Sequence, residues 1–153
     1  MKVLMVCLGN ICRSPLAEGI LAHKAIKAGL DWEVDSAGTA GYHVGEPPHP
    51  LSIKVAKLNG IDISHQTCRR FTKADMFLFD KIFVMDEENY TAIMKIAGDK
   101  WDANKVDYIL NLSNPGKNLA VPDPWYGNED GYHAVFELLS KAIDRLIEQV
   151  AGY

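Results

Sequence analysis

Cysteine is scarce in this chain: three in 153 residues, an odd number and too few for a disulfide scaffold. With no export signal, a reducing, cytoplasmic setting is expected. The opening stretch MKVLMVCLGNICR could pass for a signal peptide, but its apolar part is short, and Gly9, Asn10 and Arg13 interrupt it. Long apolar runs are missing throughout, so neither a bilayer span nor a membrane partner is expected. Positive charge is not in excess either, with 16 Lys and Arg against 20 Asp and Glu and a net charge of -4. Nothing in that balance asks for nucleic acid or an anionic membrane, and attraction to an anionic ligand has to be local. Cys7, Cys12 and Cys68 lack paired short spacings, which makes a zinc site a poor match. Internal repeats and low-complexity segments are also absent.

What is there is ordinary for a globular protein: 48% apolar and 24% charged residues. The length suits one domain with a proper core, so 1–153 is expected to be a single domain. Segments alternate along the chain. KVLMVC is a short, wholly apolar strand of the kind buried on both faces of a parallel sheet. A helix is expected from about Pro15 to Ala28, with Leu16, Ile20, Leu21, Ala25 and Ala28 at helical spacing and Gly29 ending it. WEVDSAGT, residues 32 to 39, reads as a second strand. After Pro47, Pro48 and Pro50, a helix presents Leu51, Val55 and Leu58 and stops at Asn59-Gly60. A short helical piece is expected near Gln66 to Phe71. KIFVM (81–85) is a third strand, followed by a helix over 87–97 that Gly98 stops. VDYIL (106–110) is a fourth strand. A loop over 111–131, rich in Asn, Pro and Gly, is long enough to suggest function. A last helix buries Val135, Leu138, Leu139, Ala142, Leu146 and Val150. The alternation implies an α/β fold with a parallel sheet and helices on both faces. Ligands in such folds bind beyond the carboxyl ends of the strands. Cys7, Asp86 and Asp123 all leave from that rim.

The stretch Cys7-Leu8-Gly9-Asn10-Ile11-Cys12-Arg13-Ser14-Pro15 carries the chemistry. Five residues between Cys7 and Arg13 make a tight loop whose backbone N–H groups can turn inward as an anion-binding nest. Ser14 suits an N-cap and Pro15 a first helical position, so the helix dipole would point into the same hollow. Arg13 adds a planar fork matched to two phosphate oxygens. A tetrahedral dianion fits there. The field favours a thiolate at Cys7, placed for in-line attack on phosphorus and a phosphocysteine intermediate. The Gly-Lys-Ser/Thr ending of the Walker loop is missing.

VCLGNICRSPLAE resembles the signature of the low-molecular-weight protein tyrosine phosphatases. DSAGT, GIDISHQTCRR, VMDEEN and VPDPWYG fall in that family's order and spacing, so the resemblance runs along nearly the whole chain. It implies a three-layer fold with a four-stranded parallel sheet flanked by helices, and neither metal nor organic cofactor.

The resemblance also assigns roles. Asp123, in VPDPWYG, is implied as general acid for the leaving oxygen and then as base for the hydrolytic water. Trp125 and Tyr126 on the same loop, and Tyr42 on the opposite side, are implied as walls for a flat substrate ring. Asn10 suits a left-handed conformation, and the family braces the matching residue through positions that here hold Ser36 and His65. Ser14 is implied to donate its hydroxyl to the Cys7 sulfur. Asp86 is either a further brace or the N-cap of the next helix. Cys12 is either a partner for a protective disulfide with Cys7 or a small residue filling space. Cys68 has no evident partner.

Two related activities compete on the same scaffold. Thioredoxin-coupled arsenate reductases need a further cysteine pair after the third strand, where VMDEENYTAIMK has none. Protein-arginine phosphatases carry Thr where this chain has Ile11. A silent phospho-ligand module is the third alternative, but it would not need both Cys7 and Asp123. Phosphotyrosine proteins are the implied substrates. DSAGT resembles the bacterial pattern, which brings a bacterial tyrosine kinase in as an implied partner. Oligomeric state is left open by the sequence.

Overall fold

The structure is a computed structural model describing residues 1–151. Four parallel strands form one sheet in the order β2-β1-β3-β4. They are β1 (Lys2–Cys7), β2 (Glu33–Gly38), β3 (Lys81–Val84) and β4 (Val106–Tyr108). The helices are α1 (Arg13–Lys27), α2 (Pro50–Leu58), α3 (Asp75–Leu78), α4 (Glu87–Ala97) and α5 (Glu129–Ala151). Among the described residues no helix is long and apolar enough to cross a membrane.

The central strand shows why its sequence is apolar throughout. Side chains alternate across a strand, so Val3, Met5 and Cys7 join the core under α1, α2 and α5. Leu4 and Val6 join the opposite core, with Phe71, Met76, Ile93 and Ala97. Val3 through Val6 are fully buried, each contributing roughly 1.5–3 kcal/mol of apolar burial. Crossovers place α1 and α4 so that each starts at the carboxyl end of the strand before it.

Several expected boundaries and faces are corrected. Helix α1 starts at Arg13, two residues before Pro15, with Cys12 at the N-cap position and no side-chain cap. Ser14 is therefore inside the helix, its hydroxyl engaged elsewhere. Residues 66–71 are not helical; the short helix lies at Asp75–Leu78 instead. Arg70 forms a parallel bridge with Gly38, and Gly38 N–H donates to the Arg69 carbonyl. This backbone is used to extend the sheet edge beyond β2, and a helix would withdraw it. Strand β4 ends at Tyr108, where a 3-10 turn (Ile109–Leu112) takes over. The expected loop over 111–131 holds a second 3-10 turn at Pro124–Tyr126, and α5 begins inside it at Glu129. On α5, Val135, Leu139, Ala142 and Leu146 are buried, whereas Leu138 and Val150 are exposed at the flank. On α2 the buried set is Ser52, Val55 and Ala56, and Leu58 is 65% exposed. Leu51 packs only partly against the core, as does Ala28 just past α1.

Candidate active site

The site grows from the carboxyl end of β1. Cys7 is the last residue of that strand and is 2% exposed. Backbone bonds continue past it, with Thr39 N–H on the Cys7 carbonyl and Ala40 N–H on that of Leu8. The chain must then reverse into α1 within a few residues. It does so through Asn10 at φ 59°, a left-handed conformation that Asn tolerates better than most residues. Because α1 has no side-chain cap, the amides of its first turn are not consumed by one.

Asn10 is the hub behind this loop. Its Nδ2 donates to Ser14 Oγ at 2.8 Å and to Ser36 Oγ at 2.9 Å, and its Oδ1 accepts the Arg69 amide at 2.9 Å. Ser14 Oγ lies 3.0 Å from Cys7 Sγ. Since that oxygen already accepts from Asn10, its own proton is available to the sulfur. The Ser14 hydroxyl thus reaches the sulfur in place of capping the helix. Asn10 and Ser14 are buried behind the loop and do not line the hollow.

Arg13 is 3% exposed, and its Nη1 donates to Asp86 Oδ2 at 2.7 Å and to the Val121 carbonyl at 3.0 Å. Burial opposes its charge, but Cys7, Asp86 and Asp123 outweigh that and raise its pKa. With Nη1 fixed, the guanidinium keeps Nε and Nη2 without a hydrogen-bond partner among the described residues. Asp86 is at once brace and cap: its other oxygen accepts the Asn89 amide at the start of α4.

Asp123 is positioned by the backbone on both sides. Val121 N–H donates to the Met85 carbonyl at the end of β3. Asp123 Oδ1 accepts the Trp125 amide at 3.0 Å, capping the 3-10 turn, while Oδ2 lies 3.8 Å from Arg13 Nη2. The side chain is 32% exposed, open to a ligand in the hollow.

That hollow has a volume of about 180 Å³. Cys7, Cys12, Arg13, His43 and Asp123 supply its polar lining, and Leu8, Gly9 and Ile11 of the loop complete the wall. Tyr42, Trp125 and Tyr126 form the rim; Tyr42 is 79% and Tyr126 91% exposed. Trp125 is gripped between His43 and His49, with ring centroids 5.6 and 5.4 Å away. No group of three or more His, Cys, Asp or Glu that could hold a metal occurs among the described residues.

One expected brace is corrected. His65 is exposed on its turn, and every polar atom of the Asn10 amide is already bonded elsewhere. Glu18 stands where His65 was expected, accepting the Ser36 hydroxyl at 2.6 Å. Cys68, which had no evident partner, is buried and donates its thiol to the Asn10 carbonyl at 2.7 Å. Burial pushes Cys68 up to about 11 and Cys12 up to about 12. Both thiols are therefore neutral at ordinary pH. All three cysteines are free, and the Cys12 thiol sits against the Tyr132 hydroxyl. His43, Glu18 and Arg69 are missing from the sequence-derived set. Glu18 left a trace in its spacing, four residues after Ser14 and hence on the same side of α1.

Comparison with known proteins gives consistent results. The profile of the family described as "Low molecular weight phosphotyrosine protein phosphatase" matches residues 2–152. A Schizosaccharomyces pombe protein of that description is 41% identical over 134 residues, covering 86% of this chain and 85% of its own. The crystal structure of YfkJ from Bacillus subtilis superposes with a TM-score of 0.89 at 35% identity, covering 98% of this chain and 94% of that one. The structure of DARP, described as a Drosophila arginine phosphatase, has a TM-score of 0.89 at 30% identity, with 97% of each chain covered.

Proposed function

The chain belongs to the low molecular weight phosphotyrosine protein phosphatase family and is a protein tyrosine phosphatase, and from that premise we propose which residues do the work. Cys7 is the nucleophile. Its sulfur attacks phosphorus in line, an S–P bond forms, and the P–O bond to the aryl group breaks. Asp123 gives its proton to the departing phenolate. Water then attacks the phosphocysteine, Asp123 takes the proton, the S–P bond breaks, and inorganic phosphate leaves. Nε and Nη2 of Arg13, together with the loop amides from Leu8 to Cys12, hold the equatorial oxygens through both steps. Ser14 steadies the sulfur anion as it is released. Tyr42, Trp125 and Tyr126 flank the substrate ring.

The observation that carries this reading is convergence. A sulfur, a guanidinium whose Nε and Nη2 make no hydrogen bond among the described residues, and a carboxyl group line one hollow of about 180 Å³. The test is turnover of an aryl phosphate. Cys7→Ser should abolish it, and Asp123→Ala should lower kcat by about 10²–10⁴-fold, the span of general acid catalysis. Mass spectra of rapidly quenched enzyme should show phosphate on Cys7. Phosphate found reproducibly on another side chain during turnover would overturn the assignment.

A second specificity has one observation in its favour, the likeness to DARP. Against it, Ile11 lines the hollow and a ring of aromatic side chains forms its rim, which suits a planar aryl group. Phosphotyrosine peptides are expected to be hydrolysed, and phosphoserine and phosphoarginine peptides much less. The partner class is phosphotyrosine proteins, with a bacterial-type tyrosine kinase among them on the strength of DSAGT. The residues 1–153 act as a single domain.

A further inference from the structure

One hydrogen-bonded chain runs from the sulfur back into the protein. Cys7 Sγ meets Ser14 Oγ at 3.0 Å, Ser14 meets Asn10 Nδ2 at 2.8 Å, and Asn10 meets Ser36 Oγ at 2.9 Å. Ser36 ends the chain on Glu18 Oε1 at 2.6 Å. The polarity of every link follows from its neighbour. An ionised carboxylate only accepts, so Ser36 gives its proton to Glu18 and offers a lone pair to Asn10. The Asn10 amide cannot flip, because its oxygen is occupied by the Arg69 amide. Its two N–H groups therefore go to Ser36 and Ser14, and the Ser14 proton is left for the sulfur.

We propose that Glu18 is a positioning residue for the phosphatase reaction: its ionised carboxylate, acting through Ser36, Asn10 and Ser14, keeps a hydroxyl proton directed at the Cys7 sulfur. This rests on Cys7 being the nucleophile. When Glu18 takes up a proton, its two oxygens become one donor and one weaker, uncharged acceptor. The Ser36 hydrogen is then held less firmly, and its Oγ can be approached by the Glu18 O–H as well as by Asn10. Asn10 is held less firmly, and the Ser14 proton is no longer committed to the sulfur.

A carboxylate is an odd choice if only structure mattered, since a glutamine oxygen could accept the same bond without charge. Burial pushes Glu18 up to about 7, Asp35 on β2 pushes it further, and the Ser36 bond and Arg69 pull against them. Arg69 gives little relief because it is shared with Asp35 at 3.0 Å and Asp75 at 3.1 Å. His65, on the same segment, is exposed. Glu18 thus changes state near neutral pH, at the far end of a chain that ends on the reacting atom.

The experiment combines two measurements. The first is the pH profile of kcat for an aryl phosphate in wild type and Glu18→Gln. Wild type should show an ionisation near neutral pH, with kcat about fivefold higher on its basic side, the worth of about one hydrogen bond; Glu18→Gln should lack that ionisation. The second needs no substitution. The Glu18 carboxyl carbon is titrated by NMR in wild-type protein before and after alkylation of Cys7 by iodoacetamide. Linkage is reciprocal, so blocking the sulfur should shift the Glu18 titration. If the titration does not move, or if Glu18→Gln lowers kcat equally at every pH, Glu18 is only structural and the proposal falls. If alkylated enzyme still turns over, the nucleophile assignment itself has failed, a distinguishable result.

Discussion

Asn10 does two jobs that a substitution can separate. Its backbone takes φ 59°, and its side chain makes three hydrogen bonds, to Ser14, Ser36 and Arg69. Asn10→Gly keeps the first and loses the second; Asn10→Ala loses both. A buried donor or acceptor left unpaired costs about 1–3 kcal/mol, and a left-handed alanine costs about 1–2 kcal/mol more. Both variants should be less stable than wild type in urea unfolding, with Asn10→Gly the more stable of the two. Both should also lose kcat, because neither fixes Ser14 under the sulfur. A glycine variant with wild-type kcat would show that the loop is held by its backbone alone.

At the scale of elements, the loop after β1 is held from the side by the end of β2. A methyl group at Gly38 would lie 2.9 Å from the Leu8 carbonyl oxygen and 3.1 Å from the Asn10 nitrogen. Both are backbone atoms of the phosphate loop and cannot swing away. Overpacking of this kind costs about 1–3 kcal/mol, and here the displaced atoms are catalytic scaffold. Gly38→Ala should fold, with a lower melting temperature, and should lose much of its phosphate affinity, measured with inorganic phosphate as an inhibitor. Unchanged inhibition would mean that the loop can shift without harm.

The same scale separates what the sequence discloses from what it hides. β1 is legible because an apolar run ending in Cys-x5-Arg fits little besides a buried strand that feeds an anion-binding loop. The bounds of α4 are legible because Asp86 and Gly98 punctuate it, with Glu87 and Glu88 suited to its first turn. The start of α1 is hidden because the serine that looks like its cap is diverted to the sulfur. Residues 66–71 mislead because their pattern allows a helix while Gly38 and Asn10, distant in sequence, take up their backbone groups. Cys68 and Arg69 act through just such long-range contacts, which no local spacing reports.

Across the whole molecule, the catalytic network carries a stability signature that surface groups do not share. Burial raises the Glu18 carboxyl from the ordinary 4.5 to about 7, so between those values the folded state binds more protons than the unfolded state. Stability from this group is present below about 4.5 and is lost as pH rises through about 7, by at most about 1.4 kcal/mol per pH unit. Asp62, Asp99 and Glu129 are lowered by lysine or serine partners, so their stabilisation fades only in more acidic solution. Among the described residues, His49 opposes Glu18: burial lowers its pKa, so its contribution grows as pH rises towards 6.5 and is level above it. The two signs are separated by subtraction. Unfolding free energy measured by urea from pH 5 to 8 should rise more steeply with pH, or fall less, in Glu18→Gln than in wild type. The difference between the two curves should grow up to about pH 7 and then level off. Parallel curves would mean that Glu18 is as readily ionised in the folded protein as in the unfolded chain, and a carboxylate so well solvated would exert no strain on the chain of hydroxyls that ends at Cys7.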